Sequence, residues 1–322
     1  MDTDSTFDEP TSDYEESINP SEFTTLKSSA RMNFYENGRR YRALMDRYGL
    51  PNDDAEQLRE GMKHTMYVDY IFDGKLFAAP IKEYPQKIVD LGTGVGFWAM
   101  DVAEKYPSAR VIGTDLSPIQ PTWAPPNLEW RIEDLEDQHR PWTSIYRDAD
   151  LIHMRSFLQT IQNPKKLFEN AFANLAPGGW IECHDTIPHV YSTDGTVDDN
   201  HPLNTFYKLV NEAFSKSFQW DIMLPLEIPA MLREVGFINV VETKNAVPIG
   251  RWHRQTKMRE LGMFHHSITV DVVSAVMAKR AAMDMDAEEA TRFADQVKQA
   301  LDNPRIHGII DWSGIWAQKP PA

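Results

Sequence analysis

The sequence has little cysteine and no long apolar run. Its single cysteine, Cys183, excludes an intramolecular disulfide and is typical of proteins from a reducing compartment. No apolar stretch approaches the ~20 residues that span a bilayer, and the chain does not open with the basic and apolar segments of a secretory signal. These absences predict a cytoplasmic protein without a membrane partner, and a nuclear location stays open.

Positive charge is also scarce, because 33 Lys and Arg residues face 48 Asp and Glu residues, for a net charge of −15. Residues 1–26 contain eight of the acids, no Lys or Arg, and no periodic apolar positions, so they are predicted to form a disordered acidic tail. No basic stripe that could neutralise phosphates is found in the remainder. Nucleic acid is therefore not an expected partner.

Apolar runs and helical patterns alternate from residue 87 onward. Such alternation predicts an α/β protein with a parallel sheet covered by helices on both faces. The predicted strands are 87–90, 110–114, 128–132, 149–153 and 179–184, with helices at 96–106 and 164–175.

The pattern changes after residue 190. The later segments predict helices at 204–215 and 227–235, a strand at 237–248, a helical stretch at 256–301 and a closing strand at 308–318. Two neighbouring strands with a helical insertion between them would explain this order. We therefore divide the chain into the tail, a helical N-terminal cap at 27–80, a core at 81–253, a helical lid insertion at 254–302 and a final core strand within 303–322.

A glycine turn follows the first predicted strand, in the segment Asp90–Gly96, and Asp115 ends the next strand. Such a turn lets the backbone approach a nucleotide-type ligand, and a carboxylate at the second strand end can hold a ribose diol. An acid that opens the turn repels phosphate but suits a cation. S-adenosylmethionine carries an ammonium and a sulfonium but no phosphate, so the turn favours this cofactor over NAD.

The stretch from Phe34 to Lys319 resembles the class I S-adenosylmethionine-dependent methyltransferases, and most of all the fungal LaeA-like subfamily. The matching segments are Glu36–Tyr41, Pro51–Asp54, Asp90–Ala99, Ile112–Pro121, Leu175–Glu182 and Gln318–Pro320. The resemblance implies a Rossmann-like sheet of seven strands, of which the last is antiparallel. It also implies methyl transfer, without fixing the substrate.

Ten residues are predicted to bind the cofactor. Asp90, Gly92 and Gly94 form the turn, Asp115 holds the ribose, and Leu116 packs on the adenine. The resemblance implies an acid or amide on the adenine amino group, either Glu133 or Asp134. His153, with Arg155, faces the cofactor or the substrate, or is a strand-end histidine satisfied by the backbone. Tyr35 and Arg39 lie in a segment that could close over the cofactor, with Arg39 paired to its carboxylate, or belong to a charged helix face.

A general base is required when the methyl acceptor is a hydroxyl or an amine. The candidates are His184 and Asp185 at a strand end, His189 in the next loop, and His265 and His266 in the insertion; each histidine is otherwise a packed or surface residue. No spacing typical of a metal site is found, because adjacent histidines on a helix point in different directions. Aromatic and Met residues in helices 202–235 and 254–302 line a pocket for a flat or apolar molecule, or form the core of the lid. We expect the substrate pocket between Phe34–Tyr41 and residues 254–302.

Three functions remain. The leading one is O-, N- or S-methylation of a small-molecule secondary metabolite. The alternative is a LaeA-like regulator of secondary-metabolite gene expression in a nuclear complex, and the third is a protein with a structural cofactor whose pocket catalyses a rearrangement. A nuclear regulator should carry a longer basic run than Arg39-Arg40 or Lys165-Lys166, which favours the enzyme. A homodimer or a regulatory protein partner stays open.

Overall fold

The computed structural model describes residues 33–42, 48–137, 139, 142 and 145–322. The first two strands, β1 (Asn33–Glu36) and β2 (Arg39–Arg42), form an antiparallel hairpin. Asn37 and Gly38 join them with φ of 49° and 79°. An Asn-Gly pair with both residues in the left-handed region is the favoured two-residue hairpin turn, since its twist matches that of the strands.

The prediction of a helical N-terminal cap is therefore wrong for residues 33–42, where the chain is a hairpin. The segments 27–32 and 43–47 of that cap, and the predicted acidic tail at 1–26, lie outside the described residues.

Helix α1 (Asp54–Thr65) continues into a π-helical turn at Met66–Ile71. The Asp53 carboxylate caps its N-terminus by accepting a hydrogen bond from Glu56 N at 3.1 Å. The helix buries its charged face, because Arg59 and Lys63 are buried whereas Leu58 is 67% exposed. This reverses the usual arrangement of an amphipathic helix, in which the apolar face is turned to the core. The buried charges lie beside a cavity.

Seven strands form the main sheet, in the order β5-β4-β3-β6-β7-β9-β8. The strands β3 to β7 pair in parallel, and β9 is antiparallel to both β7 and β8, so the predicted sheet with an antiparallel last strand is confirmed. Their bounds are β3 Lys87–Leu91, β4 Arg110–Asp115, β5 Leu128–Ile132, β6 Ala149–Arg155, β7 Leu175–Tyr191, β8 Ile238–Pro248 and β9 Ile309–Gln318.

The remaining helices of the described residues are α2 Phe97–Lys105, α3 Pro164–Asn174, α4 Pro202–Phe218, α5 Ile228–Val235, α6 Thr256–Met277 and α7 Ala287–Asp302. Alternate residues of each strand point to opposite faces of the sheet. Ile88 packs in the cluster around α2, whereas its neighbour Val89 packs in the cluster around α3 and α5. Trp98 of α2 is 2% exposed and belongs to the core.

The insertion between β8 and β9 builds a third apolar cluster. Helices α6 and α7 pack with α4 over the ends of β7, β8 and β9, around Trp312 and Phe214. The predicted helical stretch is two helices rather than one, since the chain turns after Met277 and Asp286 caps α7 with a reciprocal bond to Glu289. None of the helices in the described part of the chain has the length and apolar character to cross a membrane.

Candidate active site

Three glycines shape the turn between β3 and α2, and all have positive φ: Gly92 at 68°, Gly94 at 57° and Gly96 at 92°. A Cβ at Gly92 would lie 2.4 Å from a ring carbon of Phe157, and one at Gly96 would lie 2.3 Å from Trp130. A Cβ at Gly94 would meet nothing within 4 Å. Two of the glycines therefore allow close packing, and Gly94 borders open space.

Asp115, at the end of β4, ties this turn to the neighbouring strand. Its Oδ2 accepts a hydrogen bond from Gly94 N, and its Oδ1 accepts one from Ser117 N, both at 2.8 Å. Burial raises the pKa of this carboxyl, and the two backbone donors act against that rise. Each carboxylate oxygen retains a second acceptor site, so the two oxygens together can accept the hydroxyls of a diol.

A groove runs across the carboxyl ends of β3, β4, β5 and β6, the edge at which open α/β sheets bind ligands. The structure brings six of the ten predicted cofactor residues to its walls: Gly92, Gly94, Asp115, Leu116, Glu133 and Asp134. Glu133 Oε2 accepts a hydrogen bond from Tyr146 at 2.7 Å, and Asp134 Oδ1 accepts one from Glu136 N at 2.9 Å.

Asp90 and His153 line a smaller cavity beyond the glycine turn, together with Arg155. His153 Nδ1 lies 2.7 Å from Asp90 Oδ1, and Thr93 donates to Asp90 Oδ2 at 2.6 Å. Burial raises the pKa of Asp90 to about 7 and lowers the pKa of His153 well below its ordinary value. The imidazole, stacked on Trp98 with ring centroids 3.7 Å apart, is therefore neutral and orients Asp90.

The other two predicted cofactor residues lie away from the groove. Tyr35 is 74% exposed on the hairpin. Arg39 is engaged by Asp53 in a two-pronged ion pair, with Nε–Oδ2 at 2.6 Å and Nη2–Oδ1 at 2.8 Å. The guanidinium expected to hold the cofactor instead fastens the hairpin to the start of α1, and neither residue lines the groove.

Arg42, which was not among the predicted residues, lines the groove instead of Tyr35 and Arg39. It is 9% exposed, and its Nε has no hydrogen-bond partner among the described residues. Burial lowers its pKa, and Asp115 acts against that decrease. The sequence contains one signal for Arg42, which is the Asn37-Gly38 hairpin turn. Side chains alternate between the two faces of a strand, so a strand at this position would place Arg39 and Arg42 on opposite faces.

A second cavity, which we call the chamber, opens from the groove. Tyr48, Glu60 and Ser156 line both spaces. Its apolar walls come mainly from α4 and α6, and include Phe206, Tyr207, Val210, Phe214, Ile268 and Val276. Residues 34–41 contribute nothing to its lining. The insertion contributes to the chamber through α6, together with α1, α4, β7 and β9, whereas the hairpin does not. That the substrate pocket lies between Phe34–Tyr41 and the insertion stays a prediction.

The polar side of the chamber is formed by α1. Lys63 Nζ and Arg59 Nη2 lie 2.7 Å and 3.3 Å from Glu60 Oε1. Burial lowers the pKa of Lys63. Burial disfavours the Glu60 anion, but the attraction of Lys63 and Arg59 holds the pKa of Glu60 below its ordinary value. The chamber therefore combines apolar walls with a paired, desolvated set of charges.

Asp185 faces these charges from β7. Its Oδ1 accepts hydrogen bonds from Gln159 Nε2 and Thr186 N, both at 3.0 Å. Its Oδ2 is buried without a hydrogen-bond partner among the described residues. Burial raises the pKa of this carboxyl to about 7.

The three histidines predicted to be catalytic have different surroundings. His184 is 1% exposed, packs against the rings of Tyr67 and Phe72, and is absent from the chamber lining, so it is a packed histidine. His266 lies at the surface with Nε2 2.8 Å from Asp302. Neither location fits a base for a substrate in the chamber.

His265 alone of the three lines the chamber. Its Nδ1 lies 3.2 Å from the Pro248 carbonyl oxygen, and burial lowers its pKa to about 4. In the described part of the chain, no three His, Cys, Asp or Glu side chains are arranged to hold a metal ion.

Comparison with known proteins identifies the family of the chain. A family model described as "Methyltransferase domain" matches residues 62–221. The chain is 32% identical over 302 residues to "Methyltransferase pytC" of Aspergillus terreus, covering 92% of this chain and 91% of that protein. It is 30% identical over 306 residues to "Secondary metabolism regulator laeA" of Aspergillus flavus, covering 91% of this chain and 80% of that protein.

Among solved structures, the chain is similar to Haemonchus contortus "Phospholethanolamine N-methyltransferase 2", determined with phosphomonomethylethanolamine and S-adenosylhomocysteine. The TM-score is 0.47 at 16% identity, and the match covers 81% of this chain and 57% of that one.

Proposed function

The chain belongs to the class I S-adenosylmethionine-dependent methyltransferases, in the LaeA-like subfamily, and from this premise we propose that it methylates a small-molecule secondary metabolite at oxygen, nitrogen or sulfur. One observation carries the proposal. The groove at the strand ends and a largely apolar chamber share Tyr48, Glu60 and Ser156 in their linings, so a cofactor and a second molecule would have adjoining places.

The residues of the groove fit S-adenosylmethionine, which supplies a methyl group activated on a sulfonium. Asp115 has acceptor capacity for the ribose hydroxyls, and the open space beside Gly94 leaves room for the cofactor. Leu116 would pack on the adenine, and Glu133 or Asp134 would accept from its amino group. Two cations of the groove, Arg42 and Arg155, suit its carboxylate, and Asp90 suits its ammonium.

The protein's own contribution is to position the acceptor, hold its proton and exclude water. The apolar side chains from α4 and α6 that line the chamber, among them Phe206 and Phe214, would supply the exclusion. The ion pairs of Lys63 and Arg59 with Glu60 keep the polar side of the chamber fixed. A molecule held there would react beside the groove rather than in bulk solvent.

Titration calorimetry with S-adenosylmethionine tests the cofactor, and we expect micromolar affinity, about −8 kcal/mol. Incubation of the protein with S-adenosylmethionine and a fungal metabolite extract, followed by mass spectrometry, tests the transfer. We expect one or a few metabolites to gain a methyl group and S-adenosylhomocysteine to form in equal amount. An extract in which no compound gains a methyl group, despite bound cofactor, would contradict small-molecule methylation.

The second candidate is the LaeA-like regulator, which the 30% identity to laeA over 91% of this chain favours. Gene deletion in the source organism discriminates between the two. Loss of one methylated product with unchanged transcripts would support the enzyme, whereas altered transcripts of several metabolite clusters would support the regulator. For the enzyme we also propose a cytoplasmic location, which a fluorescent fusion tests, and a small-molecule substrate without a nucleic-acid or membrane partner. Sedimentation tests for a homodimer or a bound protein.

A further inference from the structure

The chamber has a composition that restricts what it can bind. Six Phe, Tyr and Trp rings line it, those of Tyr48, Phe206, Tyr207, Phe214, Trp220 and Trp312. Aromatic walls pack best on flat rings, with which they form offset or edge-to-face contacts. The aliphatic side chains of Val210, Ile222, Ile268, Val272 and Val276 complete the surface.

Within this surface one acceptor lacks a partner. Asp185 is 5% exposed, and its Oδ2 is buried without a hydrogen bond among the described residues, while Gln159 and Thr186 occupy Oδ1. A buried carboxylate oxygen left without a donor is costly, and each such group requires an explanation. A donor on a molecule in the chamber would satisfy it.

The charges near Asp185 indicate what kind of chemical group on the bound molecule donates this hydrogen bond. Asp185 and Glu60 are both acids, and Lys63 and Arg59 are already paired with Glu60. An anionic acceptor molecule would place another negative charge beside these acids. A neutral hydroxyl or aromatic amine carries a proton to donate and avoids that repulsion.

We propose, on the premise of the function above, that the chamber binds a flat, largely apolar ring molecule through a neutral O–H or N–H group, and that Asp185 Oδ2 accepts the proton of that group. As the new bond to the methyl carbon forms, the carbon–sulfur bond breaks and its electron pair stays on sulfur. The proton passes from the oxygen or nitrogen to Asp185 and leaves to solvent after the product departs. Charge and atoms balance without an oxidant or a reductant.

Asp185 has several titratable neighbours. They are Arg59, Glu60 and Lys63 from α1, Tyr67 from the π-helical turn, His265 from α6 and Cys183 from its own strand. Because the pKa of Asp185 is raised to about 7 and that of His265 is lowered to about 4, Asp185 is the group among these two that changes charge near neutral pH. Its ionised form, the acceptor, therefore gains population as pH rises.

The test uses the full chain saturated with S-adenosylhomocysteine and two flat probes, 2-naphthol and 2-methylnaphthalene. The two probes differ only in one substituent, which is a hydroxyl in the first and a methyl in the second. Equilibrium dialysis measures the dissociation constant of each. We expect the wild-type protein to bind 2-naphthol about tenfold more tightly, the effect of one hydrogen bond to a charged group. The preference should be larger at about pH 8 than at about pH 6.

The substitution Asp185→Asn should reduce the preference to about twofold or less and leave the affinity for 2-methylnaphthalene unchanged. Gln159 and Thr186 hold the oxygen of the new amide at the Oδ1 position, so its NH2 group faces the chamber and cannot accept. The matched control is Asp311→Asn on β9, where the carboxylate bonds Tyr191 outside the chamber, and its preference should stay at the wild-type value.

Three outcomes overturn the proposal: a preference that persists in Asp185→Asn, a preference that disappears in His265→Gln instead, or no binding of either probe. The affinity of wild type and Asp185→Asn for S-adenosylhomocysteine is measured first and should agree within about twofold, because Asp185 is not part of the groove. If the wild-type protein fails to bind the cofactor product, the proposed function fails. If cofactor binds and only the probe result is wrong, the assignment of Asp185 alone fails.

Discussion

Gly92 and Gly94 are two residues apart in one turn, yet substituting each by alanine should damage different properties. Gly92 has φ of 68°, and an added Cβ would lie 2.4 Å from the Phe157 ring. The left-handed conformation costs an L-residue about 1 kcal/mol, and overpacking adds about 2 kcal/mol. Gly92→Ala should therefore lose about 3 kcal/mol of folding free energy, which for a chain of this length corresponds to a Tm lower by about 4–5 °C.

Gly94 has φ of 57°, and a Cβ added to it would have no atom within 4 Å. Gly94→Ala should lose only the conformational cost, about 1 kcal/mol, which corresponds to about 1.5 °C in Tm. Its methyl group would project into space where the groove and the small cavity meet, since Gly94 lines both. We therefore expect its affinity for S-adenosylmethionine to fall at least tenfold, about 1.4 kcal/mol.

Thermal melting monitored by circular dichroism and titration calorimetry of S-adenosylmethionine, on wild type and both variants, complete the test. We expect the larger loss of Tm for Gly92→Ala. For Gly94→Ala we expect the loss of binding free energy to be large compared with the loss of stability. If Gly94→Ala melts as low as Gly92→Ala, or binds the cofactor as the wild type does, the open space beside Gly94 is not where the cofactor lies.

Three further predictions concern other parts of the chain. Asp115→Ala removes the acceptors for two ribose hydroxyls, at about 1.5 kcal/mol each, so calorimetry should show about 100-fold weaker S-adenosylmethionine binding; equal affinities would remove Asp115 from the site. The pKa of His265 is about 4 in the folded chain, so the unfolded state takes up the proton first, and stability falls as pH decreases from about 6.5 to about 4. His265→Gln should lessen the loss of urea-unfolding free energy between about pH 7 and pH 5 by about 2 kcal/mol. Deletion of residues 1–26 should leave Tm nearly unchanged, because an acidic segment without apolar periodicity gains too little burial to offset its ordering; a drop of many degrees would show that it packs on the body.

The sequence predicts the central sheet well because the information is local. In the unit from Asp90 to Asp115, strand, glycine turn, helix and strand follow one another, and each has its own periodicity or turn residue. The hairpin is equally local, since Asn37-Gly38 is a strong turn signal, but the helical pattern of the surrounding residues predicts the wrong element. That error also misplaces Arg39, which pairs with Asp53.

The chamber could not be predicted in the same way, because its walls come from segments far apart in the chain. Arg59 and Lys63 are typical of a solvated helix face, and only the neighbouring elements explain their burial beside Glu60. His184 and Asp185 are consecutive on β7, so one register position decides which of them faces the chamber. The structure pairs Asp185 with Ser313 of β9 and directs its carboxylate to the chamber, while His184 packs against the rings of Tyr67 and Phe72.

The groove and the chamber are built by different parts of the chain, and this separation has an evolutionary consequence. The glycine turn and the ends of β3 to β6 make the groove, whereas α4 and α6, which follow later in the chain, make most of the chamber wall. Substitutions in those two helices can reshape the chamber without disturbing Asp115 or the turn it fastens. After a gene duplication, one copy of the protein could therefore come to bind a new acceptor molecule while it keeps the same methyl donor. Differences between paralogues should concentrate in α4 and α6.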